Sequence, residues 1–268
     1  MYEDFERLRK DPFDRRAFLK RMSAAGLGVA AAALLANPPK AQAYGRPIDQ
    51  TGSTFFPSIP GNNINEIVTN FALTLEILEA DLYRQALNAG SGYPIDKPLI
   101  QNPNGQSYTL KVPSGGLSTP FMDAGWLYLL EFTYVEAAHR DFLISVLNSI
   151  GAPVQTPNPG GYAFPGGPSN NLKGLLTQLL PLEATGVRAY LGAVPYYNNF
   201  STFAQTAATI YSTEARHTAA INYTVGKDPG PAPRPGDQKV TPKYPAPNTF
   251  EYYLTPKEVL KVASAYFV

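Results

Sequence analysis

The chain has 268 residues, room for one or two domains, with 22 Lys+Arg against 21 Asp+Glu, a formal net charge of +1 and a hydrophobic fraction of 44%. That balance offers no basic stripe for nucleic acid, and the apolar content is too high for a disordered chain. With no cysteine and two histidines, disulfides, thiolate metal sites, iron–sulfur clusters, cysteine nucleophiles and three-histidine sites are excluded. The 26 prolines and 22 glycines predict long irregular connections between regular elements.

In chain order, Asp14-Arg15-Arg16-Ala17-Phe18-Leu19-Lys20 resembles the twin-arginine motif of bacterial Tat export signals. Met22 to Ala36 is weakly apolar, and Ala41-Gln42-Ala43 is a small-x-small cleavage site. The apolar run, about 15 residues, falls short of the ~20 a transmembrane helix needs. An amphipathic N-terminal helix or an uncleaved anchor is the bland alternative. The resemblance implies residues 1–43 as a signal peptide, the Tat translocase as a partner during export, and a periplasmic or extracellular mature protein with no stable membrane span. It also hints at a cofactor, because Tat passengers travel folded. Residues 1–43 carry 8 of the basic and 5 of the acidic residues, so the mature chain has a net charge of −2.

Residues 44–63 read as a polar arm. A first helix is expected over Ile64 to Asn88, where Ile64, Val68, Phe71, Leu75, Leu78, Leu82 and Ala86 recur at helical spacing, with Asn63 as cap and Gly90 just past the end. Residues 89–119 form a long insertion with a short strand suggested at Ser107 to Val112. A second helix, about Pro120 to Ile150, is strongly apolar (Trp126, Leu127, Leu130, Tyr134, Phe142, Leu147) and stops at Gly151. The Pro- and Gly-rich stretch 151–170 is long for a loop; a crossover between two antiparallel helix pairs accounts for it. Helices three and four are expected at about Asn171 to Val194 and Asn199 to Val225, the last ended by Gly226. The tail 227–268 holds seven prolines between Lys227 and Thr249, then a short helix from Thr255 to Ala265, where Thr255, Pro256 and Glu258 make a good helix start.

Both histidines sit in one motif. Helix two has Glu136-Ala137-Ala138-His139 and helix four has Glu214-Ala215-Arg216-His217. Residues i and i+3 share a helix face, so each pair can reach one metal ion together. Helix three has one glutamate, Glu183, within an apolar run, and helix one has Glu76 and Glu79 near its apolar stripe. A buried carboxylate is costly unless it pairs or binds metal. The halves echo each other: Glu76 and Tyr83 precede Glu136 and His139, as Glu183 and Tyr190 precede Glu214 and His217. Glu79 corresponds to Gly186 and has no counterpart. The echo therefore favours Glu76 as the ligand and leaves Glu79 as a supporting group, an alternative ligand or a partner for Arg84. Glu131 lies about 140° round the helix from Glu136 and is not expected to be a ligand. Arg140, Asp141 and Arg216 read as surface residues.

This order of Glu, Glu-x-x-His, Glu, Glu-x-x-His, one motif per helix, is the known arrangement of ferritin-like dinuclear carboxylate bundles, and the chain resembles that family. Leu75 to Tyr83 and Ile210 to His217 further resemble exported ferritin-like proteins, a group that includes plant desiccation-related proteins and fungal stress proteins. The resemblance spans about Ile64 to Gly226, with the Leu254-Thr-Pro-Lys-Glu segment. It implies an all-α fold: a ferritin-like four-helix bundle over 64–226, two antiparallel pairs joined by a long crossover, with the loop insertion and the Pro-rich tail. It further implies two Fe or Mn ions bridged by Glu136 and Glu214. His139 and His217 would bind one ion each, Glu76 and Glu183 would be terminal ligands, and Tyr83 and Tyr190 would hydrogen-bond to ligands.

Three functions follow as expectations. One is an oxidoreductase acting on a small oxidant, peroxide or O₂ (catalase-, peroxidase- or oxidase-like). The second is iron binding and ferroxidation without a storage cage, since the insertion and tail obstruct packing into a shell. The third is a cell-envelope stress or desiccation-related protein with a structural or vestigial metal site. A homo-oligomer is compatible with all three.

Overall fold

The computed structural model describes residues 56, 58–98, 112–113, 115–197, 202–231 and 251–268. The signal segment, most of the arm, all of the suggested strand Ser107 to Val112 except Val112, and residues 232–250 lie outside the described residues. Among the described residues five α-helices follow in order: α1 Ile64–Ser91, α2 Thr119–Ser149, α3 Leu172–Ala193, α4 Thr202–Thr224 and α5 Pro256–Ala263. Short 3-10 turns extend α3 (Val194–Tyr196) and α5 (Ser264–Tyr266). No strand occurs among the described residues; Tyr162 and Phe267 form an isolated antiparallel bridge. None of the described helices is long and apolar enough to cross a membrane.

Local chemistry sets the helix ends. The Asn63 side chain accepts the Glu66 N–H at 3.1 Å, and Glu66 in turn accepts the Asn62 N–H at 2.8 Å. Asn63 thus caps α1, with Glu66 satisfying the preceding backbone N–H. α1 outruns its expected end at Asn88. Gly90 sits inside the helix, where an added Cβ would make ordinary contact with Trp126, Leu129 and Leu175 at 3.4–3.5 Å. The true stop is Gly92, left-handed at φ 72°; its N–H reaches Ala89 O and the Tyr93 N–H reaches Asn88 O. α3 is capped by Asn171, whose side chain accepts the Gly174 N–H at 2.8 Å. α5 has the complete capping box of Thr255 and Glu258, and its α-helical part ends at Ala263, before the expected Ala265.

α1 packs mainly on α2 and α3 on α4, with further contacts between α1 and α3 and between α2 and α4. The apolar residues that predict α1 are all buried. α1 is in fact buried around most of its circumference, including Thr69, Asn70, Gln85 and Asn88. α2 differs from its sequence reading. Leu129, Phe132, Leu143 and Leu147 face the core, while Leu127, Tyr134 and Phe142 stay exposed. An all-round apolar helix gives no periodic signal for which face turns inward.

Buried amides hold the long crossover. Asn70 donates to Pro60 O at 3.0 Å and Pro153 O at 2.9 Å, and its oxygen accepts the Gln155 N–H at 2.7 Å. Gln85 donates to Tyr162 O, and Gln178 bonds both Gly167 O and the Ser169 N–H. The C-terminal segment clasps the same region. Ala163 N–H bonds Tyr266 O, Val268 N–H bonds Gly161 O, and Leu254 N–H bonds Arg188 O. Arg188 pairs with Glu251 at 3.0 Å and lies over the Tyr252 ring.

Asn70→Ala removes three hydrogen bonds, leaving the Pro60 and Pro153 carbonyls and the Gln155 N–H without that partner. The expected cost is about 1–3 kcal/mol, read as a lower urea midpoint with unchanged m-value. An unchanged midpoint would mean the crossover is held by packing alone.

Candidate metal centre

The bundle interior gathers charge. Glu76, Glu136, Glu183 and Glu214 are each 0% exposed, and Glu79 and His217 are buried. The His139 side chain, 14% exposed, is the least enclosed donor. Two groups of side chains can each hold an ion: Glu76, Glu136, His139 and Glu214, and Glu136, Glu183, Glu214 and His217. Within each group the ligating atoms lie within 4.8 Å of one another. Glu136 and Glu214 belong to both groups. Glu79 belongs to neither.

The Glu-x-x-His spacing acts as helix geometry requires. His139 Nδ1 lies 3.1 Å from Glu136 Oε2, and 3.4 Å from both Glu76 Oε2 and Glu214 Oε1. His217 Nδ1 lies 2.8 Å from Glu136 Oε1 and 3.3 Å from Glu183 Oε2. Glu136 thus has an imidazole on each oxygen. The tyrosines form crossed pairs between α1 and α3: Tyr190 donates to Glu76 Oε1 at 2.6 Å, and Tyr83 donates to Glu183 Oε1. Each pair holds one carboxylate oxygen and leaves the other facing a histidine. The pairing also shows that α1 and α3 run antiparallel, since 76 meets 190 and 83 meets 183.

The structure does not give Glu79 the partner Arg84. Arg84 binds Asp81 at 2.6 Å and the carbonyls of Ile95 and Lys97, because a five-residue offset puts the two side chains on different faces. Glu79 Oε2 is buried without a hydrogen-bond partner. Glu131 is exposed, Arg216 is exposed and Arg140 pairs with Asp141. One contact escaped sequence reading: Phe132 stacks on His217 with ring centroids 3.6 Å apart. Its signal was available, since Phe132 lies four residues before Glu136 and so shares its face.

Burial dominates the protonation of this cluster. It raises Glu79 and Glu214 well above the ordinary carboxylate value and raises Glu183. Glu76 is pushed up to about 7, burial outweighing the nearby His139 imidazole and the hydrogen bond it accepts from Tyr190. Glu136 alone is lowered: burial is the largest influence and opposes this, but the two imidazoles together overcome it. Burial also disfavours the imidazolium ions, yet the surrounding carboxylates carry His139 up to about 10 and His217 up to about 9.

The donor set fits a metal. Glu76 Oε2, Glu136 Oε1, Glu183 Oε2, both Glu214 oxygens and His217 Nδ1 are buried with no hydrogen-bond partner. Such groups are rare unless an ion satisfies them. Carboxylate oxygen with imidazole nitrogen suits Fe or Mn better than a soft metal.

Two predictions follow from this cluster. The metal-free fold holds protons on both histidines and on Glu76, Glu79, Glu183 and Glu214 that the unfolded chain releases at lower pH. The histidine contribution is fully present below the unfolded value of 6.5 and is lost as pH rises through about 9 to 10. The raised glutamates lose theirs as pH rises from 4.5, through about 7 for Glu76. Glu136 works oppositely, its contribution fading on acidification. Native protons outnumber unfolded ones, so the melting temperature of the chelated protein should fall between about pH 5.5 and about pH 8.5; a rising profile contradicts this protonation pattern. Separately, Glu136→Ala and Glu214→Ala should each abolish stoichiometric metal binding, whereas Glu79→Ala should keep it. Equal loss in all three, measured by elemental analysis, would make Glu79 a ligand.

A family model described as a ferritin-like domain matches residues 66–227, from the first turn of α1 to just past α4. No curated protein matches the chain. The matched span covers more than half of the sequence and contains both Glu-x-x-His motifs, both crossed Tyr–Glu pairs and the buried carboxylate cluster, and the chain belongs to the ferritin-like domain family.

Proposed function

We propose that the mature protein is exported by the Tat route and acts as a metal-dependent oxidoreductase on peroxide or O₂. In this reading Glu76, Glu136, His139, Glu183, Glu214 and His217 hold two Fe or Mn ions. The observation that carries it is the pair of donor groups sharing Glu136 and Glu214 in the bundle core. Charge supports the count: four carboxylates and two neutral imidazoles balance two divalent cations exactly as a neutral buried site requires. Glu79 then stays protonated, in the direction its burial pushes it.

Two adjacent redox-active ions supply a two-electron couple for peroxide dismutation or reduction, or for O₂-dependent oxidation. The chain's own part is to hold and enclose. Tyr190 and Tyr83 each occupy one oxygen of Glu76 and Glu183 and so orient the other as donor. Phe132 fixes the His217 ring by stacking. The core around the cluster keeps bulk water away, and the His139 side is where a small oxidant approaches, being the least enclosed. Dismutation needs no external electron donor, which suits a compartment outside the cytoplasm.

A second reading draws on how sealed the cluster is, with four carboxylates at 0% exposure. It makes the ion structural and the protein a cell-envelope stress or desiccation-related factor. Elemental analysis of the mature protein, purified from its host without added metal, separates the two. Two Fe or Mn ions per chain with peroxide or O₂ consumption support the oxidoreductase. No metal, or one zinc, in a folded sample leaves the structural reading.

A further inference from the structure

Gly186 lies buried in the middle of α3, between Glu183 and Tyr190. Helix formation does not favour it there. Glycine weakens a helix interior relative to alanine, and α3 already carries Pro181. Its surroundings explain it. A Cβ at position 186 would stand 2.8 Å from Glu214 Oε2, 3.3 Å from its Cδ and 3.5 Å from its Cγ. The Glu214 carboxylate rests directly on the bare helix backbone.

Glu214 also differs from the other donors in how it is held. Tyr190 and Tyr83 anchor one oxygen each of Glu76 and Glu183, and His139 bonds Glu136 Oε2 at 3.1 Å, so each of these three carboxylates has one hydrogen-bonded oxygen. Neither Glu214 oxygen has a hydrogen-bond partner, although Glu214 belongs to both donor groups. The two halves diverge at this point. The correspondence that pairs Glu76 with Glu183 and Tyr83 with Tyr190 sets Glu79 against Gly186.

We propose that Gly186 is a positioning residue: the absence of its side chain forms the seat that lets the Glu214 carboxylate reach both ion positions. The seat exists in the second half alone, so the centre is asymmetric despite its repeated ligands. This inference rests on the dinuclear reading above and deepens it.

The test uses the full mature chain, chelated and then titrated with Co²⁺, with affinity read by calorimetry and ligand geometry by visible absorption. Wild type should bind two ions. Gly186→Ala should bind at least one of them roughly 10–100-fold more weakly, with a changed Co²⁺ spectrum. Its metal-free melting temperature should not fall, and should rise by roughly 2–4 °C from the better helix former. Glu79→Gly, which leaves the seat intact, should retain both ions and the wild-type spectrum. Two Co²⁺ bound by Gly186→Ala with wild-type affinity and spectrum would overturn the inference while leaving the dinuclear reading standing. A lowered metal-free melting temperature would overturn it too, by making Gly186 a general packing residue. Wild type binding no Co²⁺ would sink the dinuclear reading and the inference with it.

Discussion

Glu76, Glu79, Glu136, Glu183 and Glu214, five glutamates gathered at the buried centre of one helical bundle, are the constraint to which the rest of the molecule answers. Ionised carboxylates in a dry interior cost several kcal/mol each unless something opposes their charge. Two imidazoles cannot neutralise five carboxylates, and in the metal-free fold protons make up the difference, which is why four of the five glutamates are shifted upward. Divalent cations are the other way to meet the same demand. The competition between protons and cations for one set of oxygens ties the stability of the fold to the occupancy of the site.

The near-repeat of the two halves shows how such a cluster can be held rigidly. Each outer helix of the repeat contributes a tyrosine to the other's glutamate, so α1 and α3 cannot slide past each other without breaking both bonds. α2 and α4 meet through Glu136 and His217 and through His139 and Glu214. Four helices are thereby registered by side chains in the centre of the bundle. The departures from the repeat, Glu79 against Gly186 and Phe132 against Ile210, make the surroundings of the two donor groups chemically different.

Away from the centre, the long crossover is ordered by polar groups on the helices. Asn70, Gln85 and Gln178 offer amides to backbone groups that a Pro- and Gly-rich segment cannot pair with itself. The C-terminal segment closes over the same loop and over Arg188. These contacts lie along α1 and α3, the two helices that carry the crossed pairs, and stiffen the frame on which the carboxylates sit. The opposite side is barer: α2 turns Leu127, Tyr134 and Phe142 outward.

Sequence alone determined the four-helix order, the capping at Asn63 and Thr255, and the grouping of glutamates and histidines. Each of these is encoded in short-range spacing: 3.6-residue periodicity, a cap three residues from its partner, a Glu three residues before a His. The i+7 echo even separated Glu76 from Glu79. Tertiary structure decided what spacing cannot carry. It turned α2's core face inward from a helix apolar on all sides, packed Gly90 inside α1 against Trp126, Leu129 and Leu175, and drew Arg84 to loop carbonyls. It also stacked Phe132 on His217 and set Glu214 against Gly186. These outcomes depend on which surfaces meet across the bundle, a property of the packed helices together and not of any one stretch of chain.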